Sequence, residues 1–285
     1  MYDLKIDVGR NSVHLSPDYG YYVSTIDGLT GISASFDTVK AINGYGESIT
    51  SKTIPPKNLV ITGVILDKNT TAKQAMLNCL LAGEEGVITI YQDYMRTSGS
   101  SRPSMYRRAK VFVKNSPIIT QEQHSKFSFT LTMPNPYWED VTEQTITVST
   151  WGQSAPQLSN ILGDVPPEYS FEYTASANSH GASLYCGASL LSNIAFYFDY
   201  TKLTDGYLPA GSTVKLWREN GRLRLTRTDN NVINQNIIEA AYTNSSLWYL
   251  PVGNGNRYWL NAEGGFTNAK IKYRPLYSGV LVDGV

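Results

Sequence analysis

Met133-Pro134-Asn135-Pro136-Tyr137-Trp138-Glu139-Asp140 closes the alternating run Phe127, Phe129, Leu131, Met133 and opens a region of different composition. The alternation puts every second side chain on one face, as in a half-buried strand. The stretch therefore reads as the exit from one β domain and the approach to another. Residues 134–167 hold Pro134, Pro136, Pro156, Pro166 and Pro167, and the domain boundary is placed among them. The expected division is 1–140, a linker over 141–167 with one short strand at Ile146–Val148, and 168–285.

Upstream, Tyr2, Leu4, Ile6 and Val8 alternate with polar residues, and further strands are expected over Tyr21–Ile26, Leu29–Phe36, Leu59–Ile65, Val87–Tyr91 and Ala109–Val113. Residues 37–56, with Gly44-Tyr45-Gly46 and Pro55-Pro56, read as irregular. One segment breaks the β pattern. Ala72, Ala75, Met76, Cys79 and Leu80 recur at spacings of three and four, which is one face of a helix. Thr70 or Thr71 supplies a cap oxygen and Gly83 a left-handed terminus. Downstream, strands are expected over Tyr169–Tyr173, Ile194–Tyr200, Val214–Arg218, Arg222–Thr226, Arg257–Asn261 and Ala269–Tyr273, with Asn220-Gly221 suited to a tight hairpin. Short strands separated by polar turns predict a β-sandwich in this half.

The bulk numbers agree. A length of 285 residues suits two domains better than one antiparallel domain, and 20 Tyr with 5 Trp lean towards β structure. Residues 1–140 carry 14 basic and 13 acidic side chains, and 141–285 carry 10 and 11. Neither half is a basic footprint, which argues against tight sequence-independent binding to nucleic acid. Cys79 and Cys186 fall in different halves, so a disulfide framework is not expected and synthesis in a reducing cytoplasm fits. The N-terminus lacks a basic and then apolar leader, and no apolar stretch reaches membrane-spanning length, so a soluble chain without membrane insertion is expected.

Catalytic chemistry is hard to place. His14, His124 and His180 show no metal-binding or His-carboxylate spacing. Cys79 lies on the apolar face of the helix as a core thiol, and nothing near Cys186 lowers its pKa. No Gly-x-Ser-x-Gly occurs, and Gly44-Tyr45-Gly46 does not lead into a helix as a phosphate loop would. The adjacent carboxylates Glu84-Glu85 and Glu139-Asp140 read as solvated charges. A glycan hydrolase would need one acid raised by burial, and this is the third reading. No cofactor and no metal are expected.

Two clusters suit binding. Tyr91, Tyr94, Arg96, Arg102, Tyr106, Arg107 and Arg108 surround a projecting loop over Gln92–Arg108. Tyrosine with arginine is the composition of interface anchors and also of single-stranded nucleic acid platforms. In a neutral domain a protein interface ranks first, a solvated loop second and nucleic acid third. The aromatic set Trp217, Trp248, Tyr249, Tyr258 and Trp259 either fills a core between sheets or stacks on sugar rings.

The order of features resembles a known family. Asn43-Gly44-Tyr45-Gly46 precedes the strand Lys57-Asn58-Leu59-Val60-Ile61-Thr62-Gly63-Val64-Ile65, then a short helix ending Leu80-Leu81-Ala82-Gly83, then Val87-Ile88-Thr89-Ile90-Tyr91 and the run into Pro134-Asn135-Pro136-Tyr137-Trp138-Glu139-Asp140. In the second half, Asn160-Ile161-Leu162-Gly163-Asp164-Val165-Pro166-Pro167 is similar to an Asn-x-Gly-Asp-hydrophobic-Pro motif with one extra residue, and Leu250-Pro251-Val252-Gly253-Asn254-Gly255-Asn256 to a Leu-x-x-Gly-x-Asn turn. Together they resemble the distal tail protein (Dit) family of long-tailed phages, typically of Gram-positive hosts. The Arg- and Tyr-rich segment 92–108 departs from the family pattern.

The resemblance implies a mainly β chain: an N-terminal small β-barrel related to tail-tube proteins, with one short α-helix, then a galectin-like β-sandwich. It implies a homohexameric ring at the virion tail tip, made in the host bacterial cytoplasm, with no enzymatic activity. The implied partners are further copies of the chain, the tail tube protein, the tail-associated baseplate protein, and a receptor-binding protein or host surface glycan, with DNA only in transit. A closed ring needs two different patches on each subunit, and residues 37–56 and 92–108 are long enough to reach a neighbour. The candidate ring or partner residues are Tyr45, Tyr94, Arg96, Arg102, Tyr106 and Arg107. The candidate glycan contacts are Trp217, Trp248 and Trp259, which serve the alternative reading of a carbohydrate-binding protein acting on cell-wall glycan.

Overall fold

Strands form where the alternation allows one face to be buried. The computed structural model describes residues 3–40, 47–66, 70–81, 85–91, 105–119, 125–150, 159–187, 193–219, 222–242 and 249–280. They are mainly β, with one α-helix among them. Met1–Val141 with Tyr277–Val285 forms one compact unit, and Thr142–Leu276 a second.

The first unit contains β1 (Leu4–Val8), β2 (Asn11–Leu15), β3 (Tyr21–Asp27), β4 (Ser35–Lys40), β5 (Glu47–Thr53), β6 (Lys57–Ile65), α1 (Thr70–Leu80), β7 (Glu85–Tyr91), β8 (Met105–Ile119), β9 (Ser125–Met133) and β10 (Trp138–Asp140). Its main sheet runs β2-β1-β7-β8-β9-β6-β3, with β10 added against β8. The path is open. Its end strands β2 and β3 follow one another in sequence through a short 3₁₀ turn, where the Tyr21 amide bonds the Ser16 carbonyl at 3.1 Å, and no ladder joins them. The sheet is therefore not closed into a hydrogen-bonded barrel among the described residues.

Leu4, Ile6 and Val8 of β1 face the same core as Leu59 and Ile61 of β6 and Phe127, Phe129 and Leu131 of β9. α1 adds Ala72, Met76, Cys79 and Leu80, the helical face expected from their spacing. Gly63 on β6 pairs with Phe127, and a Cβ there would stand 2.3 Å from the Tyr22 carbonyl oxygen and 2.5 Å from the Phe127 ring. Only glycine lets that ring lie over the strand.

The Tyr21 hydroxyl donates to the Ala72 carbonyl at 2.5 Å and ties β3 to α1. Burial, reinforced by the Cys79 charge, pushes its pKa up to about 12 from 10.0. A phenol raised in the folded state contributes stability that is complete below pH 10 and lost as pH rises towards 12. The first unit should lose about 1.4 kcal/mol per pH unit across that window. Tyr21→Phe should flatten this part of an alkaline denaturation series.

The second unit holds β11 (Gln144–Thr147), β12 (Ser149–Thr150), β13 (Ser159–Ile161), β14 (Tyr169–Ala175), β15 (Gly181–Gly187), β16 (Asn193–Asp199), β17 (Thr213–Glu219), β18 (Arg222–Thr228), β19 (Gln235–Asn236), β20 (Gly253–Ala262) and β21 (Phe266–Tyr273), before β22 (Leu276–Tyr277). One sheet has the order β11-β21-β14-β17-β18-β19. The other has β12-β20-β15-β16, with β13 beside β20. Their inward residues form one core, including Phe171, Tyr173, Leu184, Phe198, Leu216 and Ile271. Tyr173 and Tyr200 share a hydrogen bond inside it, so neither buried hydroxyl is orphaned. Gly264 and Gly265, at φ 76° and 82°, carry the chain from β20 in one sheet to β21 in the other.

The chain division differs from the sequence expectation. Residues 141–167, expected as a linker, already supply β11, β12 and β13 to the second unit's sheets. The last residues return to the first unit, where Val280 is buried and its amide bonds the Leu29 carbonyl at 3.2 Å. Hydrophobic alternation reports local strand, not which distant strand it joins, so the return was not visible in sequence.

Candidate functional site

The β4–β5 hairpin pairs with no other strand among the described residues. Its register sets Phe36 opposite Lys52 and Thr38 opposite Ile49, with a bulge between these pairs. Phe36 and Ile49 therefore share one face, 51% and 62% exposed, and Val39 on the other face is 57% exposed. The Ser51 hydroxyl bonds the Asp37 carboxylate, and the Thr50 hydroxyl donates to the Asp37 carbonyl at 3.0 Å. An isolated two-stranded hairpin is marginal in water. Sequence reading put a strand at Leu29–Phe36 and irregular chain over 37–56. The structure moves the strand to Ser35–Lys40 and adds a second, because Ser, Thr, Asp and Lys on two exposed faces leave no hydrophobic alternation to read. Phe36 and Ile49 were not among the candidate interface residues. Tyr45 lies between β4 and β5, outside the described residues.

Tyr94, Arg96 and Arg102 also lie outside the described residues. Tyr106 and Arg107 belong to β8, not to a projecting loop. Arg107 turns inward: its guanidinium lies 3.0 Å from the Asp140 carboxylate and 3.5 Å over the centroid of the Tyr277 ring. Its neighbour Arg108 reaches Glu139 at 3.0 and 3.2 Å. The β8–β10 ladder sets each pair directly opposite, Glu139 against Arg108 and Asp140 against Arg107. Glu139 and Asp140, expected as solvated charges, are partly buried and ion-paired. Trp138 beside them is fully buried, with its indole N–H on the Leu29 carbonyl at 3.2 Å.

The aromatic candidates separate. Trp259 on β20 is fully buried and so offers no ring face to a sugar. Trp217 on β17 is half-buried, with the Lys215 ammonium 5.3 Å from its ring centroid. Trp248 lies outside the described residues. Tyr258 belongs to the core, and Tyr249 stays exposed, with the Arg218 guanidinium 5.0 Å from its ring.

Two histidine–carboxylate pairs form although no sequence spacing announced them. His14 bonds Asp3 at 2.5 Å and stacks on Tyr19 and Tyr91 at 4.6 and 5.3 Å. His180 meets Glu263 at 3.0 Å, and its backbone N–H, also on Glu263 at 2.9 Å, leads the bonds that hold that carboxyl below its ordinary range. His124 is outside the described residues. No group of three or more His, Cys, Asp or Glu among the described residues is placed to hold a metal ion. Burial pushes both thiols, Cys79 and Cys186, up, away from the lowered pKa of a reactive cysteine. No helix among the described residues is long and apolar enough to cross a membrane.

No family model and no curated protein matches the chain. Among solved structures it is similar to SPP1 Dit (gp 19.1), described as a paradigm of the hub adsorption apparatus in phages infecting Gram-positive hosts. The two are 14% identical with a TM-score of 0.64 over 96% of this chain and 98% of that one. The chain has the fold of a phage distal tail protein. A chain of the phage P2 baseplate in its activated conformation is similar as well, 9% identical with a TM-score of 0.52 over 98% and 100%. The likeness spans nearly the whole of both chains, and it agrees with the family that the order and spacing of the sequence motifs resembled.

Proposed function

We propose that this chain is the structural hub of a phage tail tip. The observation that carries the reading is the likeness, along almost the full length of both chains, to a hub protein of a phage adsorption apparatus. On this reading the first unit is the ring former, related to tail-tube proteins, and the second a galectin-like sandwich. Six copies close a ring that joins the tail tube to the tail-associated baseplate protein. Receptor-binding proteins or host glycan meet it further out, and DNA passes through. The protein is made in the host bacterial cytoplasm, ends in the virion and catalyses no reaction.

The exposed Phe36 and Ile49 support the reading, because a heterologous ring needs an extension that buries its apolar face on the next copy. Light scattering on the purified chain should give a mass about six times 31.6 kDa, or an intermediate closed oligomer. The double variant Phe36→Asp, Ile49→Asp should run as a folded monomer. Deleting residues 96–104 should weaken assembly or partner attachment with both units intact. A strictly monomeric wild-type chain that bound cell-wall glycan tightly would instead favour the carbohydrate-binding reading, which retains Trp217 among the described rings.

A further inference from the structure

One face of the second unit carries a charge excess that the whole chain does not. In the β11-β21-β14-β17-β18-β19 sheet, the core takes Phe171, Leu216, Leu225 and Ile271, so the alternate positions point outward. Lys270 and Lys272 on β21, Lys215 on β17, and Arg222 and Arg224 on β18 share that outward face. Against these five cations stand two carboxylates, Glu172 on β14 and Glu219 on β17, in a chain of formal net charge zero.

The arrangement is ordered. Glu172 lies between Lys270 and Lys215 in the strand register and accepts from Lys270 at 2.7 Å. Partial burial alone would raise this carboxyl. The Lys270 hydrogen bond and the charges of Lys270, Lys272 and Lys215 outweigh that, and its pKa is lowered. Arg224 is paired with Glu219 at 3.0 Å on the exposed surface, whereas Lys215 and Lys272 form no salt bridge among the described residues, so the charge of these two lysines is fully available to a ligand. Hydroxyls fill the gaps: Thr145 and Ser170 flank Lys272, Thr226 pairs with Lys215, and the Thr174 and Thr213 hydroxyls meet at 3.1 Å. Trp217, half-buried, is the one aromatic at these strand positions.

This composition selects among anionic partners. A protein interface wants an apolar centre and is depleted in lysine. No strongly exposed large hydrophobic residue lies at these outward positions. Single-stranded nucleic acid stacks successive bases on several rings, and these strand positions offer a single tryptophan. A flexible chain of phosphates and hydroxylated carbons needs what is present: cations in rows, hydroxyls between them and one ring.

We propose that the outward face around Lys215, Lys272, Arg224 and Trp217 binds an anionic polyol polymer, a chain of polyol units joined by phosphodiesters. The cations meet the phosphates, the Thr and Ser hydroxyls and Glu172 meet the polyol hydroxyls, and Trp217 lies against the carbon backbone. The proposal stands whether or not the chain forms a ring.

The test is titration of the intact chain with poly(glycerol phosphate), beside polyglutamate, neutral dextran and a single-stranded oligodeoxynucleotide. Poly(glycerol phosphate) should bind most tightly, with log K falling against log salt with a slope of about −2 for three phosphate contacts. The variant Lys215→Gln, Lys272→Gln, Arg224→Gln should bind roughly tenfold or more weakly with unchanged thermal unfolding. Glu172→Gln should bind about threefold more tightly, and this opposite shift keeps the test decisive if the triple variant is unstable. Absence of binding at low salt, unchanged binding by the triple variant together with unchanged binding by Glu172→Gln, or equal or tighter binding of polyglutamate or the oligonucleotide would overturn the proposal.

Discussion

Replacing Trp138 by alanine should lower the stability of the first unit by about 3–5 kcal/mol, the range for deleting a buried aromatic side chain. The indole is fully buried in the first unit's core, against which the partly buried Leu29 packs, and its N–H donates to the Leu29 carbonyl. Truncation therefore opens a cavity, while the Leu29 carbonyl keeps the Val280 amide at 3.2 Å, so the loss is mainly one of packing. Chemical denaturation followed by a probe in each unit should show the first transition shifting to lower denaturant and the second staying in place. Trp138→Phe should recover much of the packing but not the hydrogen bond. A loss below about 1 kcal/mol for the alanine variant would mean that this residue does not anchor the segment.

Arg107→Ala should be the next most damaging change, at about 3 kcal/mol. Removing one member of a buried ion pair strands the other, and Asp140 keeps some water, which limits the loss to the lower end of the usual range. The cation–π contact with Tyr277 disappears with it. The pair can be separated from mere packing. In the double variant Arg107→Met, Asp140→Leu no charge remains buried, and stability should return to within about 1 kcal/mol of the parent. A double variant no better than Arg107→Ala would assign the loss to shape instead of charge. The Arg108–Glu139 pair is more exposed, and Arg108→Ala should cost less than about 1 kcal/mol.

Much of the fold was legible because its strands bury one face. The alternation Phe127, Phe129, Leu131, Met133 became β9, and the three–four spacing of Ala72, Met76, Cys79 and Leu80 became the inner face of α1. β15 was missed because Gly181-Ala182-Ser183 carries little hydrophobic contrast, although Ala182 and Leu184 are core residues. The hairpin was missed for the complementary reason: it has no buried face in the single chain. Among the proposed contacts, Arg107 and Trp259 were misplaced because residue type alone does not say which way a side chain turns. Arginine beside tyrosine is equally the signature of an inward clasp, once a carboxylate from a strand 33 residues away lies opposite.

The clasp at Arg107 also has a mechanical meaning. The second unit is spliced into the first, leaving it after Val141 and rejoining it at Tyr277. Arg107 grips Asp140, next to the outgoing end, and Tyr277, at the returning end. Tension applied to the second unit therefore divides between two tethers that meet at one side chain. A pull that loads both ends strains the ion pair and the ring contact at the same time. The load then passes along β8, whose long ladders with β7 and β9 spread it across the sheet.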